Sequence, residues 1–128
     1  MTDVSFQLYS ARNFPPLSDT LALLGSIGYK EVEGFGGIYG SMDADAVKAL
    51  KGELDANGLK MTTGHFGIDQ LENEPQRMIT IARTLGMDSI YAPFLMPEDR
   101  PKDADGWKAF GVRLEQASKP FKDAGFEF

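Results

Sequence analysis

Gly28-Tyr29-Lys30-Glu31-Val32-Glu33 follows directly on a run in which Leu17, Leu21, Leu24 and Ile27 recur at steps of four, three and three. That spacing predicts an amphipathic helix, and the residues after Gly28 have strand character. A glycine at such a joint tolerates the left-handed backbone that closes a last helical turn. The joint recurs in Gly58-Leu59-Lys60-Met61-Thr62, Gly86-Met87-Asp88-Ser89-Ile90 and Gly125-Phe126-Glu127-Phe128, at intervals of 30, 28 and 39 residues. Those intervals are close to the length of one strand-helix-strand step. The chain therefore reads as a tandem of β-α units.

The remaining elements fall into place around these joints. Residues 4–9 alternate, with Val4, Phe6 and Leu8 on one face and Ser5, Gln7 and Tyr9 on the other, which predicts a first strand. Phe14-Pro15-Pro16 blocks an early helix, and Ser18 or Asp19 is the expected cap of the first one. Gly36-Gly37-Ile38-Tyr39-Gly40 reads as a mobile loop after the second strand. Asp43 is placed to cap a helix that turns Val47, Leu50 and Leu54 inward. Asn73 is the expected cap of the next helix, with Pro75 in its first turn and Met78, Ile81, Ala82 and Leu85 on its apolar face. Trp107, Phe110, Leu114, Ala117 and Phe121 make a further helical stripe, expected in the core, with a kink or an early end at Pro120.

Alternating strands and helices imply a parallel sheet with right-handed crossovers. Two α/β architectures share that pattern. One is a flavodoxin-like, doubly wound sheet, for which 128 residues is an ordinary length. The other is the first half of a (β/α)8 barrel, four β-α units and the start of strand 5 in the order 1-2-3-4-5, since whole barrels take about 250 residues. A chain that stops at Phe128, inside its fifth strand and without a covering helix, favours the half-barrel. Residues 1–128 are then one domain cut short at strand 5.

Composition narrows the function. The chain carries 13 basic and 19 acidic residues, a net charge of −6, and its basic residues are scattered. That speaks against nucleic acid and against an anionic membrane surface as partners. No apolar run reaches the roughly 20 residues of a membrane span. Met1-Thr2-Asp3-Val4 lacks the regions of a signal peptide and is expected to lead straight into the first strand. Without cysteine there is no disulfide framework. These features together suggest a cytoplasmic protein.

In either architecture ligands meet the carboxyl ends of the strands. Gln7, Tyr9 and Arg12 stand there after strand 1, Glu33 and Phe35 after strand 2, His65 and Phe66 after strand 3, and Pro93 and Phe94 after strand 4. Aromatic faces with amide, carboxylate and imidazole groups suit a small polyhydroxylated ligand. His65 is the only histidine; a lone histidine is most often structural, and its place just past a strand is what marks it for function. Glu33 has two readings, a carboxylate that binds a hydroxyl or assists proton transfer, and a solvated edge residue. Arg12 reads first as a solvated loop residue. The glycine-rich stretch after strand 2 matches neither a P-loop nor the dinucleotide fingerprint. No nucleophile elbow and no multi-histidine cluster appears, so the catalytic residues are unknown.

Gln7-Leu8-Tyr9-Ser10-Ala11-Arg12, Gly28-Tyr29-Lys30-Glu31-Val32-Glu33, His65 at the end of strand 3 and Ala124-Gly125-Phe126-Glu127-Phe128 together resemble the sugar phosphate isomerase/epimerase family, the xylose-isomerase-like TIM barrels. The resemblance covers essentially the whole chain. It implies a (β/α)8 barrel that isomerises or epimerises sugars or polyols through an enediolate, with a divalent metal (Mn, Mg, Zn or Co) polarising the oxygens. The family's metal ligands and catalytic carboxylates lie in the strand 5 to strand 8 half. Gln7, Tyr9, Glu33 and His65 are then substrate-side residues, with no metal bound by this chain alone and no catalysis by the isolated chain. Self-association through the exposed sheet edges is expected of an open half-barrel. A non-enzymatic flavodoxin-like binding module is the alternative. A metal-dependent endonuclease of the same superfamily would need several histidines.

Overall fold

The computed structural model describes residues 4–128. The expectation that Met1, Thr2 and Asp3 run straight into the first strand lies outside the described residues. Four parallel strands pair strictly with their sequence neighbours, in the order β1-β2-β3-β4. They are β1 (Ser5–Gln7), β2 (Glu31–Phe35), β3 (Lys60–His65) and β4 (Ser89–Tyr91). The helices are α1 (Leu17–Ser26), α2 (Gly36–Tyr39), α3 (Ala44–Ala56), α4 (Ile68–Asn73), α5 (Pro75–Leu85) and α6 (Ala104–Asp123). A fifth strand begins beside β4: Glu127 bridges Ser89, its N–H donates to the Asp88 carbonyl at 2.9 Å, and its carbonyl accepts from Ile90 at 2.8 Å. A doubly wound sheet would put β1 between β2 and β3, so this order excludes the flavodoxin-like alternative.

The four joint glycines all have positive φ, Gly28 at 100°, Gly58 at 66°, Gly86 at 86° and Gly125 at 92°. Gly86 shows the reason: its left-handed turn lets its own N–H and that of Met87 both return to the Ala82 carbonyl, ending α5 before β4 begins.

The core lies on one side of the sheet. Val32, Met61 and Ile90 from the strands meet Leu21 and Leu24 of α1, Val47, Leu50 and Leu54 of α3, Met78, Ile81 and Leu85 of α5 and Phe121 of α6, all buried. Each fully buried side chain of this size contributes about 1.5–3 kcal/mol of transfer free energy. A β-bulge helps β3 feed this core. Glu31 pairs with Lys60 but Glu33 pairs with Thr63, so β3 carries one extra residue there. Met61 and Gly64, three residues apart, are thereby both buried, which strict alternation forbids.

Local expectations are revised at five places. Pro16, not Ser18 or Asp19, stands at the N-cap of α1. The helix expected to start at Asn73 is two helices, with Asn73 ending α4, Glu74 between them and Pro75 opening α5. The glycine stretch after β2 is not a free loop: it folds as α2 because the Tyr39 ring is wholly buried and anchors it. Pro120 does not end α6, which runs on to Asp123. Finally, α6 buries only Ala117, Ser118 and Phe121, while Trp107 is 48% exposed. The N-terminal half of α6 is held instead by a surface ion pair, Arg113 to both carboxylate oxygens of Glu72 on α4 at 2.6 and 2.7 Å. The expected cap Asp43 is in place, and Asp103 caps α6 in the same way, each accepting an N–H three residues on at 2.8 Å.

Candidate functional site

The face of the sheet away from the core is polar, and the register lines its side chains up in rows. Paired residues of parallel strands stand on the same face. Gln7 pairs with Glu33, Glu33 with Thr63, Thr63 with Ser89, and Ser89 with Glu127, one polar row across all five strands. Hydrogen bonds run along it. Gln7 Nε2 donates to Glu33 Oε1 at 2.8 Å, Thr63 Oγ1 donates to Glu33 Oε2 at 2.9 Å, and Ser89 Oγ donates to Glu127 Oε2 at 3.0 Å. Each oxygen of the Glu33 carboxylate thus receives one donor, and the carboxylate keeps lone pairs for a further hydroxyl.

A second row lies one step nearer the carboxyl ends, where Phe35 pairs with His65 and His65 with Tyr91. The Phe35 and His65 rings lie 6.2 Å apart, and Tyr9 meets Phe35 edge-on at 5.2 Å. His65 connects the two rows. Its Nε2 lies 3.3 Å from Gln7 Nε2 and 3.8 Å from Glu33 Oε1. Glu33 only accepts, so the Gln7 group facing it is the amide NH2. The second proton of that NH2 is the one on the His65 side, an arrangement that assigns the acceptor role to His65 Nε2 and the ring proton to Nδ1. Burial lowers the His65 pKa below its ordinary 6.5, against an opposing pull from Glu33, which keeps the ring neutral at pH 7.

Tyr39 supports this arrangement from the core side. Its hydroxyl donates to the His65 carbonyl at 2.9 Å, and its ring packs on Phe66 with centroids 4.9 Å apart. Burial first, and then the Glu33 charge, drives its phenol pKa far above the ordinary value, so it serves as a fixed neutral donor. The ring fits because Gly34 and Gly64, paired across β2 and β3, have no Cβ. One added at Gly34 would stand 2.5 Å from Tyr39 Cε1, and one at Gly64 would stand 2.7 Å from its hydroxyl.

Of the residues expected from the sequence, Gln7, Glu33 and His65 come together. Tyr9 stands outside their hydrogen bonds and reaches them only through the Phe35 ring, and it is not on the first strand. Leu8 turns into the core, which ends β1 at Gln7 and puts Tyr9 in a 3-10 turn (Leu8–Ala11), 45% exposed. Arg12 lies over the Tyr9 ring at 4.0 Å and donates to its carbonyl at 2.9 Å. Phe66 is buried in the core. Thr63, Ser89, Tyr91, Glu127 and Tyr39 escape sequence reading. Thr63 alone carried a signal, standing two residues before His65 and hence on its face.

The pH response of this cluster has a definite sign. A folded-state pKa below the unfolded value makes the His65 contribution fully present above about 6.5 and lost as pH falls below it. The Glu72 carboxyl, held low by its hydrogen bond to Arg113, acts only below about 4.5. The urea midpoint should therefore drop between pH 7.5 and pH 5.5, and His65→Asn should flatten that drop. An unchanged slope in the variant would assign it to other groups.

Among the described residues no three or more His, Cys, Asp or Glu side chains gather in a way that could hold a metal ion. Glu33 and His65, with the Gln7 amide on both, do not complete such a set. Among the described residues no helix is long and apolar enough to cross a membrane.

No protein-family model and no curated protein sequence matches the chain. Solved structures do. A sugar phosphate isomerase/epimerase from Parabacteroides distasonis superposes with a TM-score of 0.77 at 21% identity, over 97% of this chain and 49% of that one. A D-psicose 3-epimerase from Clostridium cellulolyticum, solved with D-tagatose, gives 0.72 at 12% identity, over 98% and 50%. A probable 3-DHS dehydratase from Bacillus anthracis gives 0.68 at 14% identity, over 98% and 50%. The chain spans about half the length of the structures it matches. At these identities the likeness establishes the fold: the chain is folded as half of a (β/α)8 barrel.

Proposed function

We propose that this chain forms the substrate-side wall of a sugar or sugar phosphate isomerase/epimerase, as the first half of its barrel. The observation that carries the reading is the polar row Gln7-Glu33-Thr63 with His65 beside it, on the open face at the strand ends. Glu33, fixed by two donors, accepts hydrogen bonds from substrate hydroxyls. Neutral His65 and the carbonyl of Gln7 complete a set that orients a polyol, and the Tyr9, Phe35 and Tyr91 rings offer surfaces to its C–H faces. The reaction of the intact barrel is proton transfer next to a carbonyl. The divalent metal implied by the resemblance finds no complete ligand set among the described residues, so in this reading it belongs to residues elsewhere. The 128-residue chain alone then binds but does not turn over. The reading also puts the protein in the cytoplasm, in carbohydrate metabolism, and makes it self-associate through its uncovered edge.

His65→Ala and Glu33→Gln test the site. In a barrel completed by a complementary half, each should lower turnover or sugar affinity at least tenfold, roughly 1.4 kcal/mol. Thermal stability should move little, because neither residue belongs to the core. A variant that unfolds while its folded fraction keeps full activity would make that residue structural and remove it from the site.

A further inference from the structure

An apolar cleft of about 360 Å³ opens beside the polar row, between the segment after β1 and the start of α2. Leu8, Ala11, Phe14, Leu17, Phe35 and Ile38 line it. Its volume lies in the range of small-molecule sites, about 300–1,000 Å³. Two links make it continuous with the candidate site. Phe35 lines the cleft and is also the ring beside His65 in the upper row. Arg12, the one charged side chain on the lining, lies over Tyr9, which in turn meets Phe35. Among the described residues the Arg12 guanidinium donates only once, to the Tyr9 carbonyl.

A bare sugar can set only its narrow C–H faces against such a wall, since it carries a hydroxyl on nearly every carbon and each hydroxyl placed there loses its water without a partner. A ligand that fills both regions has a hydroxylated head and an apolar ring at one end. A guanidinium at the rim further favours an aromatic ring over an aliphatic one. Phe14 fits a role as the outer lip of the cleft, standing 71% exposed on its loop.

We infer that the site takes a polyol bearing an aromatic ring, with the hydroxylated part on the Gln7-Glu33-Thr63 row and the ring in the Leu8–Ile38 cleft. The inference rests on the sugar-binding reading above and adds the substrate class. Ligand-observed NMR titrations of the whole chain compare D-glucose, phenyl β-D-glucopyranoside and phenol. Phenyl glucoside is expected to bind at least tenfold more tightly than glucose, with saturation strongest on its ring protons. Ala11→Phe, which fills the cleft, should erase that advantage and leave glucose binding unchanged. Phe14→Ser, at an exposed position where folding is not at stake, should weaken phenyl glucoside at least threefold and glucose not at all.

Equal binding of glucose and phenyl glucoside overturns the cleft assignment and leaves the sugar reading standing. Phenol binding as tightly as phenyl glucoside, with no glucose binding, overturns the sugar reading and this inference with it. Binding of none of the three does the same.

Discussion

Gly34→Val is expected to destabilise the chain by about 3 kcal/mol or more, a large share of the about 5–15 kcal/mol that holds a domain folded. The reason is the bed under Tyr39. Even a single methyl at position 34 would stand 2.5 Å from Tyr39 Cε1 and 2.7 Å from Met61 Sδ. The Tyr39 ring has nowhere to go: it is wholly buried, packed on Phe66 and tied by its hydroxyl to the His65 carbonyl. At Gly64 an added Cβ meets the flexible end of Met87 at 2.6 and 2.7 Å and the anchored Tyr39 hydroxyl at 2.7 Å, so Gly64→Ala should be destabilising as well. Urea unfolding measures both. The sharper check is a cycle with Tyr39→Ala, which itself costs about 3–5 kcal/mol through the cavity it leaves. With the ring gone, Gly34→Val has space, and the double variant should be more stable than the two single effects imply by at least about 1 kcal/mol. Additive effects, or a Gly34→Val chain as stable as the parent, would show that the ring is not what position 34 accommodates.

The chain is also expected to sediment as a dimer, with twice the mass of a 14.0 kDa chain, in the upper part of the micromolar to millimolar range. A folded monomer of this mass exposes about 6,700 Å² by the usual scaling. This chain exposes 7742 Å². The excess, about 1,000 Å², is similar in size to what one partner contributes to a standard interface, about 800 Å². The sheet locates it. The start of strand 5 already occupies the outer edge of β4, whereas among the described residues β1 pairs only with β2. The open face carries Glu31, Glu33 and Glu127 against the one lysine paired with Glu31, Lys60, so stacking two faces directly would oppose a net negative charge with its like. Pairing through the β1 edge avoids that conflict. Ser5→Lys, a charge on the free edge, should return the chain to monomer without loss of fold. A compact monomer over the whole concentration range would remove self-association from the proposal.

How much of this was legible beforehand depends on the range over which each feature is decided. The β-α joints could be read because a helical stripe, a glycine and a strand run are local, and a positive φ is a property of one residue. Gln7, Glu33 and His65 could be placed at one edge because a strand end and a period of two are local as well. Tyr9 could not be placed correctly, since the alternation of residues 4–9 continues past the point where Leu8 is drawn into the core and the strand turns. The Trp107 stripe misled for a related reason. Periodicity says which residues share a face of α6, and only the position of α4 and α5 says how far along the helix that face is covered.

The polar row itself belongs to the tertiary structure. Thr63, Ser89 and Glu127 are unremarked polar residues until the bulge in β3 sets the register that brings them level with Glu33. Tyr39 lies in a glycine stretch that reads as a loop, and becomes an anchor only because Gly34 and Gly64 meet across two strands that are distant in sequence. By itself the sequence determined the order of the elements, the parallel β-α pattern and the edge at which Gln7, Glu33 and His65 stand, while the strand order decided between the half-barrel and the doubly wound sheet. Register, the close approach at paired glycines and the depth of each helix on the sheet were decided only by packing, because they depend on volumes and partners far apart along the chain.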